Sequence, residues 1–116
     1  MWLQEKNPAL RRQKLFSLGR NSLKEFKLSL ANDPSPVIRH EAAFLLGESK
    51  NKKVVSILMQ AIKDDESDLV RHEAIEALGD LKVKTRQVEN LLRSLLKDKN
   101  PFIRDTADIA LLTLEL

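Results

Sequence analysis

The stretch VIRHEAAFLLG at 37–47 returns as LVRHEAIEALG at 69–79, and this repetition decides the fold. Two further segments fall into the same register, ALRRQKLFSLG at 9–19 and FIRDTADIALL at 102–112. Their third position is always arginine: Arg11, Arg39, Arg71 and Arg104. The last three lie 32 and 33 residues apart, and the first gap of 28 implies a shorter loop. A fixed period of this length marks stacked supersecondary units.

Each segment reads as a helix. Ile38, Ala42, Leu45 and Leu46 stand at i, i+4, i+7 and i+8, one face of a 3.6-residue turn. Val70, Ala74, Ala77 and Leu78 repeat the spacing, as do Ile103, Ala107, Ala110 and Leu111. Gly19, Gly47 and Gly79 are expected to close three of these helices as C-terminal stop signals. A second helix type lies between the segments, with apolar sets Leu23, Phe26, Leu30, then Val55, Leu58, Ile62, then Val88, Leu91, Leu95. Each unit is therefore a hairpin of an A helix and a B helix, the quoted segments being B. Neither helix buries its stripe alone, so the hairpins stack. The expected fold is an all-α solenoid of about seven helices, four B and three A, forming a single domain over 1–116.

Composition agrees. The 116 residues hold three Gly and four Pro, few for an all-β chain built on tight turns. There is no cysteine, which removes disulfides, zinc-thiolate sites and thiol nucleophiles. No run approaches the roughly 20 apolar residues of a membrane helix. Residues 1–14 lack the continuous apolar core of a secretory signal. The expected location is cytoplasmic, without a membrane partner. The net charge of +3 permits anionic partners without requiring them.

The pattern Asp-x-x-(Pro/Asp)-x-(Val/Ile)-Arg-x-x-Ala, closing on Leu-Gly, resembles the short HEAT repeats of the phycobilisome-lyase type over nearly the whole chain. Asp33, Asp65 and Asp98 each stand six residues before the repeat Arg. The resemblance implies that these acids and Arg39, Arg71 and Arg104 form a structural ladder between units. It specifies fold far better than function.

The two histidines of the chain, His40 and His72, occupy the same place in consecutive B helices, each followed by glutamate, Glu41 and Glu73. At about 100° per residue His40 falls opposite the apolar stripe, toward the inner, concave surface, with Glu41 nearer the stripe's edge. Neighbouring layers lie about 8–10 Å apart. Two imidazoles leaning together across that gap could share one metal ion. Two His and a carboxylate are also the ligand set of non-haem iron centres. The dipeptide equally suits an exposed surface pair copied with its repeat.

The duplicated motif is similar to the deoxyhypusine hydroxylase family, HEAT-repeat di-iron oxygenases of two halves with two His-Glu motifs in each. This chain looks like one half, with Arg12-Gln13 and Asp105-Thr106 where outer repeats lack the motif. The resemblance implies His40 and His72 as iron ligands, and Glu41 and Glu73 as ligands or bridges. Only two of the four motifs are present, so an iron pair would need two chains. A pI near 9.3 also suits a basic substrate protein poorly.

Basic stretches at 50–53 and 82–86 follow B helices, while Asp33, Asp64, Asp65, Glu66, Asp68 and Asp98 precede them, giving one basic and one acidic edge. Helix dipoles favour this arrangement by themselves. With few aromatics a base-stacking platform is disfavoured. Phe44 lies about 40° from His40 on the wheel, as a wall of a ligand site or an exposed contact residue. Trp2 is expected to pack against the first helix or a partner. The apolar run at 110–116 points to self-association, in a homodimer, through the C-terminal end.

The leading functional expectation is a small protein-interaction module that binds a protein partner on its concave face, with His40, Glu41, His72 and Glu73 able to hold metal there. The alternative is an iron-dependent oxygenase assembled as a dimer. The second alternative is a weak nucleic-acid binder using the basic edge, for which the residues argue least. The residues leave an enzymatic role open.

Overall fold

A computed structural model of the chain describes residues 4–116. Trp2 lies outside the described residues. Seven α-helices follow one another among them: α1 (Pro8–Ser17), α2 (Leu23–Asn32), α3 (Pro36–Glu48), α4 (Val55–Asp64), α5 (Asp68–Leu81), α6 (Arg86–Leu95) and α7 (Pro101–Glu115). A 3-10 turn at Lys52–Val54 leads into α4. The odd-numbered helices are the B row and the even-numbered ones the A row, as the repeat requires.

The helix starts are locally encoded. Pro8, Pro36 and Pro101 open α1, α3 and α7, where a missing N–H costs nothing. The side chains of Asn7, Ser67, Thr85 and Asn100 accept backbone N–H bonds at four N-termini. Gly19 stands just beyond the cap of α1 as expected, but the other two helix stops differ. Gly47 and Gly79 lie inside α3 and α5. The left-handed residues beyond them are Lys50 (φ 58°) and Lys82 (φ 55°), equivalent positions one repeat apart.

Both glycines stand in the seam between B helices, and at Gly47 the seam needs the missing Cβ. A Cβ on Gly47 would lie 2.9 Å from Ala77 Cβ, and one on Gly79 would lie 3.4 Å from Ala110 Cβ. Gly and Ala therefore let α3 approach α5, and α5 approach α7, nearly backbone to backbone. The A helices touch one another far less. A row spaced closely on one side and loosely on the other bends the stack, which puts the B helices on the inner, concave side.

The core runs unbroken between the rows through Leu15, Phe26, Ile38, Leu46, Leu58, Val70, Leu78, Leu92 and Ile103. The B stripes are buried as expected, except that Leu45 and Leu111 are only partly covered. In the A row Val54 and Leu92 take the fully buried places expected for Val55 and Leu91. A shift of one residue turns a side chain by about 100° and moves it to the stripe's edge.

The arginine ladder forms. Arg11 grips Asp33 through Nε (2.9 Å) and Nη2 (3.0 Å), and Arg39 grips Asp65 in the same way at 2.9 and 3.1 Å. Arg71 Nη2 meets Asp98 at 2.7 Å. Each arginine thus holds the acid of the following layer. Arg39 and Arg104 also donate to the carbonyl of the acid six residues before them, Asp33 O at 2.8 Å and Asp98 O at 2.7 Å. The same acids accept the N–H two residues on, from Ser35, Ser67 and Asn100. One carboxylate therefore shapes its own turn and fixes the layer before it.

Candidate functional site

The His-Glu pairs sit directly after the ladder arginines, at the fourth and fifth positions of the quoted segments. Adjacent B helices are nearly in register, so a fourth-position side chain faces the fifth position of the next layer. Arg12 Nε donates to Glu41 Oε1 at 2.9 Å, from α1 to α3. His40 Nε2 meets Glu73 Oε1 at 2.9 Å, from α3 to α5. His72 Nδ1 meets Thr106 Oγ1 at 2.8 Å, from α5 to α7. These contacts form a second ladder beside the first.

The environment of each group follows. His40 and Glu73 are both mostly covered, and burial lifts the Glu73 carboxyl above its ordinary range, with the neighbouring His40 pulling the other way. His40 Nδ1 is buried and has no hydrogen-bond partner. His72 is held on three sides. Its Nδ1 faces Thr106, its Nε2 lies 3.3 Å from Glu76 Oε1, and its ring stacks on Phe102 with centroids 4.5 Å apart. In the first ladder, the hydrogen bond from Arg71 holds the Asp98 carboxyl below its ordinary value and raises the Arg71 guanidinium.

The four expected metal ligands are thus brought into one seam, but not around one point. The imidazoles do not lean toward each other. Each reaches forward to its next layer, and Glu41 is turned back to Arg12. Among the described residues no three His, Asp or Glu side chains converge in an arrangement able to hold a metal ion. His40 with Glu73 and His72 with Glu76 each offer two adjacent donors, short of the three protein ligands of a catalytic centre such as that of zinc. The donor set of this arrangement does not fit a complete iron centre.

Thr106, Glu76 and Phe102 are contacts that sequence reading missed. Thr106 was legible in principle, since it stands 33 residues after Glu73 at the same repeat position. Glu76 is one helical turn beyond His72. Phe44, at 39% exposure, is a surface residue.

Charge is distributed unevenly between the rows. Helix α3 carries Glu41 and Glu48, α5 carries Asp68, Glu73, Glu76 and Asp80, and α7 carries Asp105, Asp108 and Glu115. The only Lys or Arg residues of these three helices are Arg39, Arg71 and Arg104, in ladder positions. The lysines stand on α1, the A helices and the loops, including exposed Lys50, Lys52, Lys53, Lys82 and Lys84. A basic chain therefore presents an acidic B row from α3 to α7. The reading of the whole-chain pI against a basic partner does not apply to this face. A groove of about 220 Å³ between α5 and α7 is lined by Glu76, Asp80, Thr106, Ile109 and Thr113, among others. A larger cleft of about 440 Å³ reaches Leu30, Arg39, Ala61 and Asp65 and shares no residue with the His-Glu ladder.

A repeating B helix, a buried Arg-Asp ladder and a seam of small residues define a stacked-hairpin repeat protein. Residues 23–112 match the family of HEAT repeats, and the chain belongs to that family. Among solved structures it is similar to human deoxyhypusine hydroxylase, determined in complex with glycerol, with a TM-score of 0.82 and 28% identity. The match covers 97% of this chain and 40% of that one, so the chain spans about two-fifths of the enzyme's length. No curated protein sequence matches it. No helix of the described residues is long and apolar enough to cross a membrane.

Proposed function

We propose that this protein is an interaction module whose acidic B row, from α3 to α7, docks a cationic segment of a partner protein. The observation that carries the reading is the segregation of charge. The cations of these helices are in ladder positions, leaving Glu76, Asp80, Asp105 and Asp108 exposed. The groove between α5 and α7 places Glu76 and Asp80 beside the apolar Ile109, which suits the stem and head of a lysine or arginine side chain. Complementary charge of this kind chiefly sets association rate and partner choice.

The test is binding of a fluorescent Lys/Arg-rich peptide, followed by anisotropy across a salt series. Binding should weaken with salt and fall on Glu76→Lys with Asp80→Lys, and survive Lys52→Glu with Lys53→Glu. Binding indifferent to the first pair of changes overturns the reading.

A second reading rests on the His40–Glu73 contact and on the likeness to deoxyhypusine hydroxylase. In it His40, Glu41, His72 and Glu73 contribute to a non-haem iron centre completed by another chain. Iron would serve there as a centre for oxygen chemistry, and this chain's residues would supply part of its ligand set. Elemental analysis of protein produced with iron, beside the His40→Ala, His72→Ala variant, decides it. Near-stoichiometric iron lost in the variant supports this reading, and negligible iron in both removes it.

A further inference from the structure

Both ladders stop at the outer helices with complementary halves. Arg104 is the ladder arginine of the last layer. It donates to Asp98 O, and among the described residues no carboxylate pairs with it, although it is half-buried like Arg39 and Arg71. At the other end Glu5 stands six residues before Arg11, where the other layers have aspartate. It is built in as they are: Arg11 Nη1 donates to Glu5 O at 2.8 Å, and Asn7 N–H points at Glu5 Oε1 at 3.4 Å. Among the described residues no arginine or lysine pairs with its carboxylate. The second ladder likewise leaves Asp105 at a fourth position and Gln13 at a fifth.

The surfaces around these residues also match. Leu112 (62%) of α7 and Leu116 (88%), just past its end, are exposed apolar side chains, and Leu112 stands at the position by which α3 and α5 meet their next layers. The two leucines fall at i and i+4, on one side, beside Asp105, Asp108 and Glu115. Helix α1 has no acid and carries Arg12 and Lys14 beside exposed Leu10 and Phe16. An open groove on α1 is lined by Ala9, Leu10, Gln13, Phe16 and Ser17.

We propose that copies of this chain stack head to tail, α7 of one against α1 of the next, with Arg104 gripping Glu5 of the neighbouring copy and Asp105 accepting from its Gln13. The contact continues the interface already present between layers. A symmetric α7–α7 contact would oppose acid to acid, and an α1–α1 contact cation to cation. Leu112 occupies the place of Gly47 and Gly79, so the junction is wider than the internal seams, and the α1 groove receives the added bulk. A heterologous contact of this kind does not stop at two copies unless it closes into a ring.

The test is sedimentation velocity of the full chain from micromolar to millimolar concentration. The mean mass should rise past that of a dimer. Arg104→Glu and Glu5→Arg should each weaken association by roughly tenfold. Mixing the two variants, or combining both changes in one chain, should restore it, because either arrangement rebuilds opposite charges. Arg104 also holds Asp98 O, so Leu112→Glu serves as a second variant that leaves this bond intact, and it should abolish stacking. A monomer throughout, a dimer that grows no further, or association indifferent to the charge exchange each overturns the proposal.

Discussion

Gly47→Ala and Gly79→Ala are the same change at the same repeat position, yet the geometry gives them different outcomes. Both glycines are helical, so alanine gains about 1 kcal/mol of helix propensity at either site. At Gly79 the new methyl would meet Ala110 Cβ at 3.4 Å, an ordinary contact, and most of that gain should survive. At Gly47 it would lie 2.9 Å from Ala77 Cβ and 3.2 Å from Ala77 Cα. Ala77 has no flexible end to swing away, so α3 and α5 must separate. Overpacking of this kind costs about 1–3 kcal/mol, leaving Gly47→Ala destabilised by about 0–2 kcal/mol. The two variants should differ by about 1–3 kcal/mol, or roughly 4–12 °C in melting temperature for a domain of this size. Urea and thermal unfolding of the three proteins measure it. Adding Ala77→Gly to Gly47→Ala should recover the packing part of the loss. A Gly47→Ala protein as stable as Gly79→Ala refutes the close-approach explanation of the B seam.

The buried end of the arginine ladder gives a second expectation. Asp33→Ala leaves Arg11, whose side chain is 5% exposed, without its carboxylate, and should cost about 3–5 kcal/mol in unfolding free energy. Asp68→Ala, at a far more exposed carboxylate, should cost much less. Acid titration separates two further groups. Arg71 depresses the Asp98 carboxyl, so its contribution is present above the ordinary value of 3.8 and is lost as pH falls through the lower folded value. Asp98→Asn should lose stability at neutral pH and flatten this acid limb. Glu73 is shifted the opposite way, mainly by burial, with His40, His72 and Glu76 facing it. Its ionised form weakens the fold at neutral pH, and the penalty disappears as pH falls through the raised value toward 4.5. Glu73→Gln should flatten the pH dependence of the urea midpoint in that window.

The repeat was legible because burial imposes a period. Ile38, Val70 and Ile103 must face one core, and a stripe of this regularity admits few other folds. The arginine ladder was legible only through the resemblance to short HEAT repeats, and its physical basis is that a buried arginine needs an acid at a fixed place in the next layer. Gly47 was misread because two physical uses of glycine look alike in one dimension. A helix stop needs a positive φ, whereas a close seam needs the absence of a Cβ, and only the neighbouring helix distinguishes them. Val54 and Leu92 displaced Val55 and Leu91 because one residue of helical phase lies below the resolution of a period.

The His-Glu pairs mark the boundary between the two kinds of information. Sequence established that His40 and His72 are equivalent, that each precedes a glutamate, and that both stand away from the stripe. Side-chain direction across a layer depends on the register and spacing of two helices, which no single helix encodes. The tertiary structure set His40 against Glu73, His72 against Thr106, and Glu41 against Arg12. It also sorted the charge, because a net value of +3 sums over faces that only folding separates. Local periodicity fixed which residues are inside, and the distance between neighbouring B helices decided which of the others meet.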